Sequence, residues 1–233
     1  MIPWLQIDTA RVPGADVELR LMRRGADFSM MLGPNELMNS RLSGSEEALA
    51  AIACERIRAR ERPRVLIGGL GMGFTLRAAL AALGADARIV VAELVPAVLV
   101  WARTSMVEVF GKSLTDPRVS VREADVGHLI RTGRSPFDAI LLDVDNGPQG
   151  LTRKPNDRLY DLEGLSAARS MLRRGGVLAV WSSGPNPNFV QRLRKTGFVV
   201  NEVRVRANGT RGGAHHVIWI ATHGDGSRRS TKR

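Results

Sequence analysis

Three glycines at alternate positions, Gly69, Gly71 and Gly73, stand between the apolar run Val65-Leu66-Ile67-Gly68 and a helix-forming stretch from Phe74 to Leu83. A strand, a glycine turn and a helix in that order bring bare backbone against a nucleotide-like ligand, because glycine adopts φ > 0 and leaves no Cβ in the way. Acids close the apolar runs that follow. Glu93 ends Arg88-Ile89-Val90-Val91-Ala92 and lies 20 positions after Gly73, the spacing at which a carboxylate accepts hydrogen bonds from a ribose. The competing reading of Glu93 is an acid at a helix N-terminus. Asp125 follows Val121-Arg122-Glu123-Ala124, placed to accept from an adenine amino group or to cap the next helix. Asp143 follows Phe137-Asp138-Ala139-Ile140-Leu141-Leu142, beside the reacting centre of such a site.

The elements that must position these groups alternate along the chain. Strands are expected at 64–68, 88–92, 118–122, 137–142, 176–181, 198–206 and 214–222, and helices at 45–60, 74–83, 95–109, 126–132, 160–173 and 187–196. Alternation of this kind predicts an α/β three-layer sandwich, with a mostly parallel seven-stranded sheet covered by helices on both faces. The last two strands have only the connection 207–213 between them and should form an antiparallel hairpin. Ahead of this domain, 17–23 and 28–32 read as a small β-hairpin. Ser45 is the expected N-cap of the first helix, with Glu46 and Glu47 in its first turn. The expected organisation is an N-terminal hairpin segment over 1–44, a ligand-binding domain over 45–223 and a basic disordered tail over 224–233.

Composition narrows the function. The 233 residues are 44% hydrophobic and 24% charged, ordinary for a globular chain with a full core. No apolar run is long enough to span a bilayer and no signal-peptide pattern opens the chain, so a cytoplasmic location is expected. The sole cysteine, Cys54, falls in an apolar helical run, and no metal site is expected from it or from His215-His216. Net charge is +11, of which the last ten residues supply +3. An anionic partner such as nucleic acid is conceivable, but aromatic residues are only 5% and no RNA-binding motif accompanies the basic residues.

Taken together, the segments Ile67-Gly68-Gly69-Leu70-Gly71-Met72-Gly73, Ala92-Glu93-Leu94, Asp116-Pro117-Arg118-Val119, Ala124-Asp125 and Leu142-Asp143-Val144-Asp145-Asn146-Gly147-Pro148 resemble the spermidine synthase family of the class I S-adenosylmethionine (AdoMet) methyltransferase fold, a Rossmann-like architecture. Leu159-Tyr160 and Leu172-Arg173-Arg174-Gly175-Gly176-Val177-Leu178 extend the resemblance. It implies that Gly69, Gly71, Gly73, Glu93, Leu94, Asp125, Val126 and Asp143 contact the cofactor, with Glu93 on the ribose and Asp125 on the adenine. It also implies that Asp143 matches the acid taking a proton from the attacking amine, and that 146–158 forms a lid. Homodimers through the N-terminal strands are known in the family; the short N-terminal part here leaves that open.

The chain departs from the family pattern at its amine-binding positions. Gly71 stands where the family has an aspartate for the aminopropyl ammonium of decarboxylated AdoMet. The D-x-x-D pair reads Asp143 and Asn146, and a tyrosine and its neighbour are replaced by Ser45 and Glu46. With Gly71 the turn matches the G-x-G-x-G of AdoMet-dependent methyltransferases. The expectation is therefore methyl transfer from AdoMet to a small acceptor, with an amine among the candidates, Asp143 or Asp145 as base and Asn146 orienting the acceptor. Asp143 as a purely structural acid is the competing reading. The alternatives are a polyamine aminopropyltransferase using decarboxylated AdoMet, and a non-catalytic protein of this fold.

Overall fold

The computed structural model describes residues 2–144, 147–148, 158–209 and 212–224. Its N-terminal part holds an antiparallel sheet of four strands in chain order, β1 (Leu5–Arg11), β2 (Glu18–Arg24), β3 (Asp27–Leu32) and β4 (Asn35–Asn39). The expected hairpin is β2 and β3, and β1 and β4 add a strand at each edge. Leu19 and Leu21 of β2 and Met30 of β3 face the main body and are buried with its helices. The sheet is thereby fixed as one wall of the site described below.

Seven further strands make the main sheet: β5 (Arg64–Gly68), β6 (Arg88–Glu93), β7 (Val119–Glu123), β8 (Phe137–Leu142), β9 (Leu172–Ser182), β10 (Phe198–Arg206) and β11 (His215–His223). Their spatial order is β10-β11-β9-β8-β5-β6-β7, parallel except for the two pairings that β11 makes. Period-2 alternation sends successive residues to opposite faces. Val65 and Ile67 join a core with α1 (Gly44–Ile57), α2 (Phe74–Ala82) and α3 (Pro96–Arg103), together with Phe110 of the single-turn α4 (Val107–Phe110). Leu66 lies on the other face, in a second core with α5 (Val126–Thr132), α6 (Leu162–Ser170) and α7 (Pro187–Lys195). This is the expected three-layer architecture. Each fully buried Leu or Ile contributes about 1.5–3 kcal/mol. No helix among the described residues is long and apolar enough to cross a membrane.

Three local differences from the expected elements have physical causes. The single helix expected over 95–109 is broken at Thr104, whose backbone leaves helical geometry (φ −123°, ψ −91°) while its hydroxyl bonds back to the Val100 carbonyl at 2.8 Å. Strand β9 begins earlier than expected, because Leu172 pairs with Phe137 and Gly175 (φ +69°) absorbs the irregularity that follows. The N-cap of α1 is Ser43, without a side-chain cap bond, rather than Ser45. Gly44 packs so closely on the backbone of Asn208 and Gly209 that a Cβ would overlap it, and its N–H bonds the Ala207 carbonyl at 2.9 Å. Docking of the helix start onto the β10–β11 connection thus sets its first turn and frees the Ser45 hydroxyl for another role.

At the end of the sheet away from the glycine turn, Asp138 is fully buried. It accepts from Arg60 at 2.7 Å, from Arg173 at 3.0 Å and from the Arg64 backbone N–H at 2.8 Å. Removing the acid strands two guanidiniums and a buried N–H. Asp138→Ala is expected to lower unfolding free energy by about 3 kcal/mol, read as a lower urea midpoint at unchanged m-value. A loss under about 0.5 kcal/mol, the range of ordinary surface changes, would show that the cluster is not a structural tie.

Candidate functional site

Strand order reverses at β5, whose neighbours β6 and β8 lead away in opposite directions, and a crevice opens beyond their carboxyl ends. The chain leaves β5 through Gly69 (φ +89°), Gly71 (φ +52°) and Gly73 (φ +76°), a left-handed geometry that other residues enter only with strain. Space reinforces the requirement. A Cβ at Gly69 would overlap the Asp143 carbonyl oxygen, and one at Gly73 would lie 2.5 Å from the Phe110 ring. At Gly71 a Cβ would lie 2.9 Å from Met38 Sδ, so a methionine of β4 fills the space beside that glycine.

Glu93, at the tip of β6, is buried and accepts from the Leu70 N–H and the Val95 N–H, both at 2.9 Å. Burial pushes its carboxyl above the usual range, while these and neighbouring backbone N–H groups pull it down. Glu93 therefore stitches the glycine turn to β6 while lining the crevice. Asp125 is the N-cap of α5, accepting from the His128 N–H at 3.0 Å, and it also faces the crevice. Capping and ligand contact are compatible for it. Asp143, at the tip of β8, accepts from the Thr75 hydroxyl at 2.6 Å. Its carboxyl is pushed up to about 7, by burial first and then by the charge of Glu46, against the pull of Thr75.

Two cavities meet at these groups. The first, about 230 Å³, contains Gly69, Gly71, Glu93, Leu94, Asp125, Val126 and Asp143 in its lining, with Met30 and Leu37 of the N-terminal sheet opposite. The second, about 250 Å³, is lined by Glu36, Glu46, Phe74, Asp143, Trp181 and His216 among others. Leu37, Met38, Gly71 and Asp143 belong to both. Gly73 does not line either cavity; it is the N-cap of α2. Asp145, Asn146 and most of the expected lid, like the tail, lie outside the described residues. Alternation along β11 sends one of His215 and His216 inward, and it is His216 that lines the cavity. Glu36 and Met38 were not singled out, since only the folding back of β4 brings them here.

No family model matches the chain. Over 154 aligned residues, 60% of the chain, it is 31% identical to the polyamine aminopropyltransferase of Mycobacterium tuberculosis, of which the match covers 28%. Over 127 residues, 54% of the chain, it is 32% identical to the polyamine aminopropyltransferase of Korarchaeum cryptofilum, of which 37% is covered. The chain is spermidine synthase-like. Its match spans well under half the length of these curated relatives. The spermidine synthase of Thermotoga maritima superposes with a TM-score of 0.72 at 17% identity, covering 94% of this chain and 72% of that one. A probable spermidine synthase from Corynebacterium glutamicum gives 0.62 at 14% identity, covering 92% and 79%. At such identities these two likenesses speak for the fold alone.

These relatives overturn the expectation of methyl transfer, and with it that of AdoMet itself as the main cofactor. Gly71 by itself leaves the turn without the negative charge of an aspartate. Met38 fills the adjacent space, however, and Glu46, read as part of that loss, brings a carboxylate into the cavity next to Asp143. A ligand carboxylate placed beside that pair would meet repulsion.

Because Gly69 combines φ +89° with backbone contact, Gly69→Ala is expected to weaken binding of an adenosyl sulfonium ligand at least tenfold, about 1.4 kcal/mol, in calorimetric titration. Wild-type affinity in the variant would remove the glycine turn from the site.

Proposed function

We propose that the chain is a transferase of the aminopropyl group, from decarboxylated AdoMet to a primary amine of a polyamine. The observation that carries this reading is the second cavity. Among the described residues its lining includes the carboxylates Glu36, Glu46 and Asp143 and no lysine or arginine, in a chain of net charge +11. Negative charge gathered in one cleft of a basic protein selects a cation. The likeness to curated polyamine aminopropyltransferases supports the same class.

The residues divide into two tasks. The glycine turn, Glu93, Leu94, Asp125 and Val126 fit an adenosyl group in the first cavity, with backbone approach at Gly69 and a carboxylate for the ribose at Glu93. The bound donor supplies an activated C–S bond, broken with its electron pair leaving to sulfur as the amine nitrogen bonds the freed carbon. Asp143 stands where the cavities join, and takes the proton that the nitrogen loses. For that it must be ionised. With its carboxyl at about 7, the active form is depleted below pH 7 and accumulates above it.

Incubation with decarboxylated AdoMet and 1,4-diaminobutane is expected to yield methylthioadenosine and the aminopropylated amine in equal amounts, detected by mass spectrometry. Turnover should rise with pH through about 7, and Asp143→Asn should cut kcat by about 10²–10⁴. Absence of product with every linear diamine tried would contradict the reading. A flat profile between pH 6 and 8, a window about one unit either side of that value, would remove Asp143 as the base.

A further inference from the structure

We infer that Glu46 and Asp143 form a carboxylate pair that holds a primary ammonium group where the two cavities join, with Ser45 and His216 positioning Glu46. The inference rests on the aminopropyl-transfer reading and deepens it, because it names the acid that stands in for those missing at Gly71 and Asn146.

The first turn of α1 delivers Glu46 into the second cavity, whose lining it shares with Asp143 just beyond β8, close enough for its charge to act on that acid. That turn is held by the contact of Gly44 with the backbone at 208–209, so Glu46 comes from a docked helix start. Ser45 is buried and donates its hydroxyl proton to Glu46 Oε2 at 2.6 Å. The Ser45 Oγ itself lies 3.0 Å from His216 Nδ1. A hydroxyl has one proton, already given to Glu46, so His216 must donate from Nδ1. The imidazole is set by a second contact, edge-on to Trp181 with ring centroids 4.7 Å apart. The indole N–H of Trp181 is buried and has no hydrogen-bond partner among the described residues.

The other charged groups around the cavity leave Glu46 and Asp143 as the pair. Glu36 is engaged by the Ser29 hydroxyl at 2.6 Å and the Asn39 amide at 3.1 Å, with Arg41 at 3.9 Å. His216 is held below its ordinary value, by burial first and then by His215, and so adds no competing cation at neutral pH. Burial raises the Glu46 carboxyl, against the pull of Ser45 and with a smaller push from Glu47, and the charge of Glu46 disfavours ionisation of Asp143. An ammonium group between them offsets the burial of both carboxylates and displaces the proton that Asp143, with its carboxyl at about 7, holds in part near neutral pH.

Either the aminopropyl end of the donor or the acceptor amine carries a suitable ammonium. Calorimetric titration of wild type and Glu46→Gln with decarboxylated AdoMet alone, and with 1,4-diaminobutane alone, separates the two. One affinity is expected to fall by about thirty-fold, the scale of a charged hydrogen bond, and the ligand affected identifies the ammonium. Wild type should release a proton on binding that ligand near pH 7, seen as a dependence of heat on buffer ionisation enthalpy, and Glu46→Gln should not. Ser45→Ala and His216→Gln should raise the KM of the same ligand several-fold with little change in kcat, and Glu46→Asp should restore part of the affinity. Unchanged affinity for both ligands in Glu46→Gln and in Glu46→Ala, each with wild-type circular dichroism, overturns the inference. If product forms but both affinities survive, the inference alone fails. Absence of product in wild type counts against the proposed function, while the diamine titration still tests Glu46.

Discussion

The glycine turn after β5 lies so close to the backbone of Asp143 that no side chain fits at position 69, and the site depends on that contact. The Asp143 N–H bonds the Gly68 carbonyl at 3.0 Å, and the Gly69 N–H bonds the Ala92 carbonyl at 2.9 Å. The tips of β5, β6 and β8 are thereby locked at a fixed spacing. Glu93 completes the lock from the β6 side by accepting from Leu70. Rigidity of this kind is what a displacement reaction asks of a protein, since alignment of nucleophile and leaving group supplies much of the rate.

A second constraint is charge. The chain is strongly basic, yet the cleft at the switch point gathers acids from five separated segments, Glu36, Glu46, Glu93, Asp125 and Asp143, with Arg131 and Arg158 lining only the first cavity among the described residues. Assembling carboxylates costs free energy through desolvation and mutual repulsion, visible in the raised carboxyls of Glu46, Glu93 and Asp143. Backbone N–H groups offset the cost at Glu93, and hydroxyls do so at Glu46 and Asp143. The partner that would offset the remainder is cationic.

Much of this arrangement was legible in the sequence. Strand–helix alternation gave the main sheet, because its central strands are continuous apolar runs. The glycine spacing and the acids at strand tips are local in the chain, so Gly69, Glu93, Asp125 and Asp143 could be read from it. What escaped depends on tertiary placement. Strand β1 is almost wholly exposed and leaves little hydrophobic pattern to read. Met38 meets Gly71, and Glu46 meets Asp143, only after the N-terminal sheet and the start of α1 fold over the cleft. Gly71 in isolation therefore pointed to methyl transfer; in the proposed arrangement the acid missing at the turn is answered by Glu46, 25 positions upstream in the chain.

Parallel calorimetric titration of the wild-type protein with decarboxylated AdoMet and with AdoMet tests the central claim most directly. The two ligands differ by one carboxylate, and in the proposed arrangement that end faces Glu46 and Asp143. At least tenfold tighter binding of the decarboxylated form is expected, about 1.4 kcal/mol, with the difference shrinking at high salt. Equal affinity, or preference for AdoMet, would contradict it.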